Sequence, residues 1–147
     1  IPQIMYLDGD RSAAIRDDGF TLYKGSQVPK EVETIKVDKE IVSTFYDDNI
    51  IGLVFKNGDK DKPYTMRGYS TDGSLKFEKK FNIPYTTIKA SDGNILLYNS
   101  SQISVMNSRG VEKYSGTVDG TISDFIKTGW NRYLLVLDNG VDVIKLS

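Results

Sequence analysis

Five aromatic side chains carry the most pointed chemical suggestion in this chain of 147 residues: Tyr6, Phe45, Tyr46, Tyr85 and Trp130. Each falls on or beside a segment that reads as the first strand of a repeating unit, or in the turn next to it. If the rings gather, they offer flat apolar faces with polar edges, a surface on which sugars and peptides stack. Packing between neighbouring units is the competing use of the same rings. Carboxylates come second. Asp17-Asp18, Asp47-Asp48 and Asp124 supply acids of the kind that paired-carboxylate glycoside hydrolysis requires. Aspartates in turns are also expected simply to bond their own backbone.

Other chemistries are closed. The chain has no histidine and no cysteine. A histidine-based nucleophile relay therefore lacks its base, zinc sites built on His and Cys lack their ligands, and no disulfide can form. Asn57-Gly58-Asp59-Lys60-Asp61 opens like an oxygen-rich calcium loop, which wants glycine at its sixth place and glutamate at its twelfth. Lys62 and Gly68 stand there instead, so the segment reads as a long solvated hairpin. Asn99-Ser100-Ser101 matches a glycosylation sequon that sits at a turn.

Charge excludes a further class. Nineteen basic residues against 20 acidic ones leave a net charge of −1, whereas a nucleic-acid binder needs a basic surface to displace counterions from phosphate. The longest basic run, Lys79-Lys80, reads as a solvated face. No stretch approaches the ~20 apolar residues of a membrane span. The chain opens Ile1-Pro2 without a signal-type apolar run. The expectation is a segment of a longer protein, with any anchor or export signal upstream.

The elements that must hold these residues are strands. Asp8-Gly9, Asp18-Gly19, Asn57-Gly58, Asp72-Gly73, Asp92-Gly93, Asp119-Gly120 and Asn139-Gly140 are dipeptides that tolerate the positive φ of tight turns. Between them lie short runs rich in Ile, Val, Leu, Tyr, Phe and Thr. No segment keeps helical apolar spacing; the nearest, Lys30–Lys39, loses it between Val32, Ile35 and Val37. The segments opening at Ile1, Lys39, Ile83 and Thr121 begin units that recur at roughly 38–44 residues, the length of a four-stranded propeller blade.

Within each unit a first strand leads through a tight turn to a strongly apolar second strand. The second strands are Arg11–Arg16, Ile50–Phe55, Asn94–Tyr98 and Arg132–Leu137, and Leu53, Val54, Leu96, Leu97, Leu135 and Val136 are the expected core. Third strands follow at Phe20–Gly25, Tyr64–Ser70, Ile103–Asn107 and Val141–Leu146. Fourth strands at Pro29–Val37, Ser74–Phe81 and Val111–Val118 alternate and carry charge, which blunts an exposed sheet edge. The fold class is thus all-β, a β-propeller of four-stranded antiparallel blades. The approximate blades are 1–38, 39–82, 83–120 and 121–147, one segment of a larger propeller. The last unit stops after its third strand, and a fourth strand is expected from residues N-terminal to Ile1.

Asp61–Gly73 reads as a third strand entering its Asp-Gly turn, followed by Ser74–Phe81, Asn94–Asn99, Arg132–Leu137 and the terminal Val143–Leu146. Together these resemble the C-terminal blades of a DUF5711-type protein, within the broad quinoprotein-like and WD40-like propeller group. The resemblance implies a bacterial protein with an upstream transmembrane helix and an extracytoplasmic propeller of about seven or eight blades, and it brings no catalytic residues. The Trp-Asp and Gly-His signatures of WD40 repeats are missing. The docking tryptophans of quinone-dependent blades are not evident, so no cofactor is expected.

Two functions follow as expectations. The first is a non-catalytic, cell-surface binding propeller whose partner is a protein, peptide or glycan, touching a membrane only through an upstream segment. The second is a hydrolase or lyase using carboxylates at the channel mouth. A homodimer closing two such segments into one ring is the expected assembly.

Overall fold

The computed structural model describes residues 3–7, 9–25, 27–47 and 50–146. Its strands are β1 (Gln3–Tyr6), β2 (Arg11–Arg16), β3 (Gly19–Lys24), β4 (Lys30–Lys36), β5 (Ile41–Tyr46), β6 (Ile51–Lys56), β7 (Tyr64–Tyr69) and β8 (Leu75–Phe81). They continue as β9 (Thr87–Ser91), β10 (Asn94–Tyr98), β11 (Gln102–Asn107), β12 (Glu112–Thr117), β13 (Ile122–Gly129), β14 (Arg132–Leu137) and β15 (Gly140–Lys145). No helix occurs among the described residues. The strands form four antiparallel meanders in sequence order: β1 to β4, β5 to β8, β9 to β12, and a three-stranded sheet of β13 to β15.

The turn chemistry explains the meander. At Asp92-Gly93 both residues adopt positive φ, 51° and 81°, which matches the twist of the flanking strands in a two-residue hairpin. Asn57-Gly58 instead opens a longer loop. Its Asn57 Oδ1 accepts from the Asp59 N–H at 2.8 Å, and Asp59 Oδ1 accepts from the Asp61 N–H at 2.9 Å. Asp119-Gly120 lies between β12 and β13, joining two sheets rather than two strands of one.

The chain divides into two compact units, residues 1–82 and 83–147. In the first, a buried cluster of Met5, Leu7, Ala13, Ile15, Phe20, Leu22, Val37, Ile51, Leu53 and Tyr69 joins the sheet of β1–β4 to that of β5–β8. The Phe20 ring meets Tyr69 edge-on at 5.1 Å, and Arg11 Nη1 donates to the Thr71 carbonyl at 3.0 Å. In the second unit the cluster is Leu96, Tyr98, Ile103, Val105, Ile122, Phe125, Tyr133 and Leu135. A buried bond from Asn94 Nδ2 to the Tyr133 hydroxyl, 2.6 Å, pins the two sheets together.

Glycine also shapes the second sheet. Phe45, Gly52, Gly68 and Phe77 are successive cross-strand partners on β5, β6, β7 and β8. Rings from the two outer strands lie over glycines of the two inner ones: a Cβ at Gly52 would stand 2.0 Å from the Phe45 ring, and one at Gly68 would stand 2.3 Å from Phe77. Cross-strand aromatic cover of this kind fills the gap a glycine leaves in a strand.

The second strands fall where the sequence puts them, with one shifted by a residue to Ile51–Lys56. Leu53, Val54, Leu96, Leu97 and Leu135 are buried as expected. Val136 is only half-buried. Along β14, Tyr133 and Leu135 point into the cluster shared with β9–β12, while Leu134 and Val136 point to the opposite face. That face also carries Val141 and Val143, each 58% exposed.

Candidate functional site

The aromatic residues singled out from sequence have unequal fates. Tyr6 and Tyr46 occupy equivalent places, each the last residue of its first strand, and they are 80% and 40% exposed. Trp130 sits in the turn just after β13 and is 86% exposed. That turn is firmly held. Asn131 adopts φ of 53°, its carbonyl accepts from the Leu146 N–H at 2.7 Å, and its side-chain oxygen accepts from Lys113 Nζ at 2.8 Å. A rigid turn therefore presents a ring to solvent, which lowers the ordering cost of a ligand that stacks on it.

Phe45 and Tyr85 stand elsewhere. Phe45 is 3% exposed, and its ring is committed to covering Gly52. Tyr85 precedes β9 and is half-buried, in a segment tied down by Asn99 Nδ2 donating to the Pro84 carbonyl at 2.6 Å. In the second unit, Lys127 near the end of β13 reaches Asp92 just after β9, at 3.0 Å to its carbonyl. The two first strands therefore run the same way, with Trp130 past the C-terminal end of one and Tyr85 before the N-terminal start of the other. These two rings do not meet at one end.

The carboxylates are occupied. Asp124 Oδ1 accepts from Lys89 Nζ at 3.1 Å, from the Tyr98 hydroxyl at 3.2 Å and from the Phe125 N–H at 2.8 Å. Lys89 above all holds its carboxyl below the usual range, and the Lys89 ammonium also lies 5.6 Å from the centre of the Tyr98 ring. Asp47 Oδ1 accepts from the Ile50 N–H at 3.1 Å; Asp48 lies outside the described residues. Asp18 pairs with Arg16 at 3.5 Å. The Ser70 hydroxyl and the Ser74 N–H lower Asp72 to about 2, and the Asp61 and Lys62 N–H groups lower Asp59. Where these acids are shifted, the shift is downward, opposite to what a proton-donating acid in hydrolysis requires.

Among the described residues no three acidic side chains group to hold a metal ion. In the calcium-like loop the oxygens of Asn57 and Asp59 turn to their own backbone. Asn99 of the sequon is likewise spent, with its oxygen accepting from the Ser101 and Gln102 N–H groups and its amide donating to Pro84 and Gln102. Among the described residues no helix is long and apolar enough to cross a membrane.

The Lys89–Asp124–Tyr98 group was not legible as a cluster in sequence, because its members lie on three strands. The one available signal is that Lys89 and Asp124 are each the third residue of a first strand, one repeat apart.

Residues 1–146 match DUF5711, described as a family of unknown function. No curated protein matches the chain. Solved β-propellers do, at 10–13% identity. BBS1N, crystallised in complex with ARL6DN, superposes at a TM-score of 0.62 and 11% identity over 100% of this chain and 51% of that one. BamB from Moraxella catarrhalis gives 0.58 and 11% over 96% and 41%. The WD40 propeller domain of Doa1 gives 0.60 and 13% over 97% and 50%. The fold is a β-propeller built from antiparallel meander blades, and the chain spans about half the length of the propellers it matches.

Proposed function

The chain belongs to DUF5711, a family of unknown function, and on that footing we propose that it is a non-catalytic binding module of a bacterial cell-surface protein. Its ligand, a saccharide or a peptide, stacks on an exposed aromatic ring at the end of a first strand. The observation that carries this reading is the exposure of Tyr6, Tyr46 and Trp130, all at or just past the C-terminal end of a first strand. Large exposed rings are costly to leave in water, and Tyr and Trp are the residues that most often anchor binding. The commitment of Asp47, Asp72 and Asp124 to turns and ion pairs favours binding over turnover. The family resemblance supports the extracytoplasmic setting, with membrane attachment through a segment outside these residues.

Trp130 is the only tryptophan, so its emission reports directly on its surroundings. Screening cell-wall glycans and peptides by thermal shift should yield a ligand that raises the melting temperature, is not consumed, and shifts the Trp130 emission to the blue. Trp130→Ala should then weaken that ligand at least several-fold while leaving the unfolding midpoint of the free protein in place. A stabilising ligand that binds the variant as tightly as the unaltered chain refutes the aromatic site. Protease shaving of intact cells that spares the protein refutes the surface location.

A further inference from the structure

The strand directions of the second unit sort its charged side chains to opposite ends. The turns Asp92-Gly93, Ser108-Arg109 and Trp130-Asn131 each follow a first or third strand. They lie at one end, across which Lys127 bonds to Asp92 and Lys113 to Asn131. That end carries Arg109, Lys113, Lys127, Arg132 and Lys145 against only Asp92 and Glu112. The other end carries Asp119 and Asp138 in its turns and Asp142 near the start of β15, with no basic residue. Lys89 and Asp124, in between, pair with each other. A unit whose side-chain charges cancel is therefore basic where Trp130 stands and acidic at the far end.

Pairing sharpens the excess beside the indole. Lys127, its side chain 7% exposed, is taken up by Asp92 at 3.4 Å, and Glu112 accepts from the Ser104 hydroxyl at 3.2 Å. Lys113 is exposed and in no ion pair among the described residues. Its 2.8 Å bond to Asn131 Oδ1 holds the ammonium next to the residue that follows Trp130. An ammonium has three donors, so others remain for a ligand. The turn offers less to an extended peptide, because the Asn131 carbonyl already accepts from the Leu146 N–H and the Asn131 side-chain oxygen from Lys113. What it presents is an aromatic face with a positive charge fixed beside it.

We propose that this end of the second unit binds an acidic saccharide: a sugar ring stacks on Trp130 and its carboxylate pairs with Lys113. The proposal rests on the aromatic site above and names the class of ligand that site takes. A uronic acid has C–H groups on the flat face of its ring and a carboxylate at the rim, which suits an indole and an ammonium side by side. The surrounding basic end draws such an anion in, an effect that weakens as salt screens it.

Two probes test it through Trp130 emission: a short oligomer of galacturonic acid, and the same oligomer with its carboxyls reduced to alcohols. The acidic form should bind about two- to fivefold more tightly, the scale of one exposed ion pair. That margin should shrink as salt rises through ~0.15 M. Lys113→Gln should abolish the margin and Lys113→Arg should keep it, while Trp130→Ala, followed by calorimetry, should weaken both forms. Equal binding of the two forms, or a margin that survives Lys113→Gln, overturns the proposal and leaves the stacking site standing. So does an oligopeptide of glutamate that displaces the saccharide at lower concentration, which makes the ligand a peptide. If neither oligomer perturbs Trp130 the proposal falls, and the wider glycan and peptide screen decides the aromatic site separately. Undiminished binding of both forms to Trp130→Ala refutes the stacking site itself.

Discussion

Gly52→Ala adds one methyl group and should destabilise the second sheet measurably. The new carbon would stand 2.0 Å from Phe45 Cζ and 2.3 Å from both Cε atoms, against a comfortable carbon–carbon separation of about 3.5–4.0 Å. The ring must therefore retreat by roughly 1.5 Å, from a site where Phe45 is already buried. Overpacking of this kind costs about 1–3 kcal/mol. Restricting the unfolded chain by replacing glycine returns about 0.4–1 kcal/mol. The net expectation is a loss of about 1–2 kcal/mol in urea unfolding with an unchanged m-value. Gly68→Ala provides the internal control. Its obstacle, Phe77, is only half-buried on the outer strand β8 and can swing outward, so that variant should lose less. Phe45→Ala should remove most of the penalty from Gly52→Ala, leaving the double variant less destabilised than the sum of the singles. If Gly52→Ala is as stable as the unaltered chain, or the two changes add without coupling, the ring does not cover the glycine.

Leu97→Ala and Leu135→Ala, both at fully buried sites, should each cost about 2–5 kcal/mol by thermal or urea unfolding; a loss under about half a kcal/mol would show that the faces of β10 and β14 are misassigned. Tyr133→Phe strips the hydroxyl that accepts from Asn94 Nδ2 in a buried setting and should cost about 1–3 kcal/mol, while Val136→Ala on the half-buried face should cost less than Leu135→Ala. The Asp72 carboxyl should titrate by NMR near 2 rather than 3.8, and Ser70→Ala should move that midpoint upward. Because its folded value is depressed, Asp72 supports the turn above pH 3.8 and loses that support as pH falls through about 2; an unmoved midpoint in the variant would show that the hydroxyl does not hold the charge.

The strands were legible because tight-turn dipeptides and apolar runs are local signals. Asn94–Tyr98 and Arg132–Leu137 could be read to the residue, since Asp92-Gly93 and the turn at Trp130 fix where each begins. Which face of a strand is covered depends on what lies above it, and a single strand does not carry that information. Leu135 and Val136 look alike in sequence, yet only Leu135 reaches the cluster around Phe125 and Tyr133. Phe45 and Tyr46 join the same aromatic set because both fall on a first strand. In a strand, neighbours point to opposite faces, so one ring went to Gly52 and the other to water. The register that pairs Phe45 with Gly52 could have been counted across the intervening turn, and an aromatic opposite a glycine is the available sign of cover rather than display.

A propeller blade spends its sequence unevenly, and that unevenness separates scaffold from function. Its aspartates are consumed by the backbone: Asp47, Asp59 and Asp72 each take N–H bonds in turns, and Asp124 is held by Lys89 and Tyr98 between sheets. Such groups are fixed and ionised, properties that close hairpins well and transfer protons poorly. What the scaffold leaves unspent are features it does not need for folding. Trp130 in its rigid turn adds nothing to either buried cluster. An exposed tryptophan carries a solvation cost. A ring that folds nothing and costs something is free to bind, so the exposed aromatic ends, and not the more numerous acids, are where binding should first be sought.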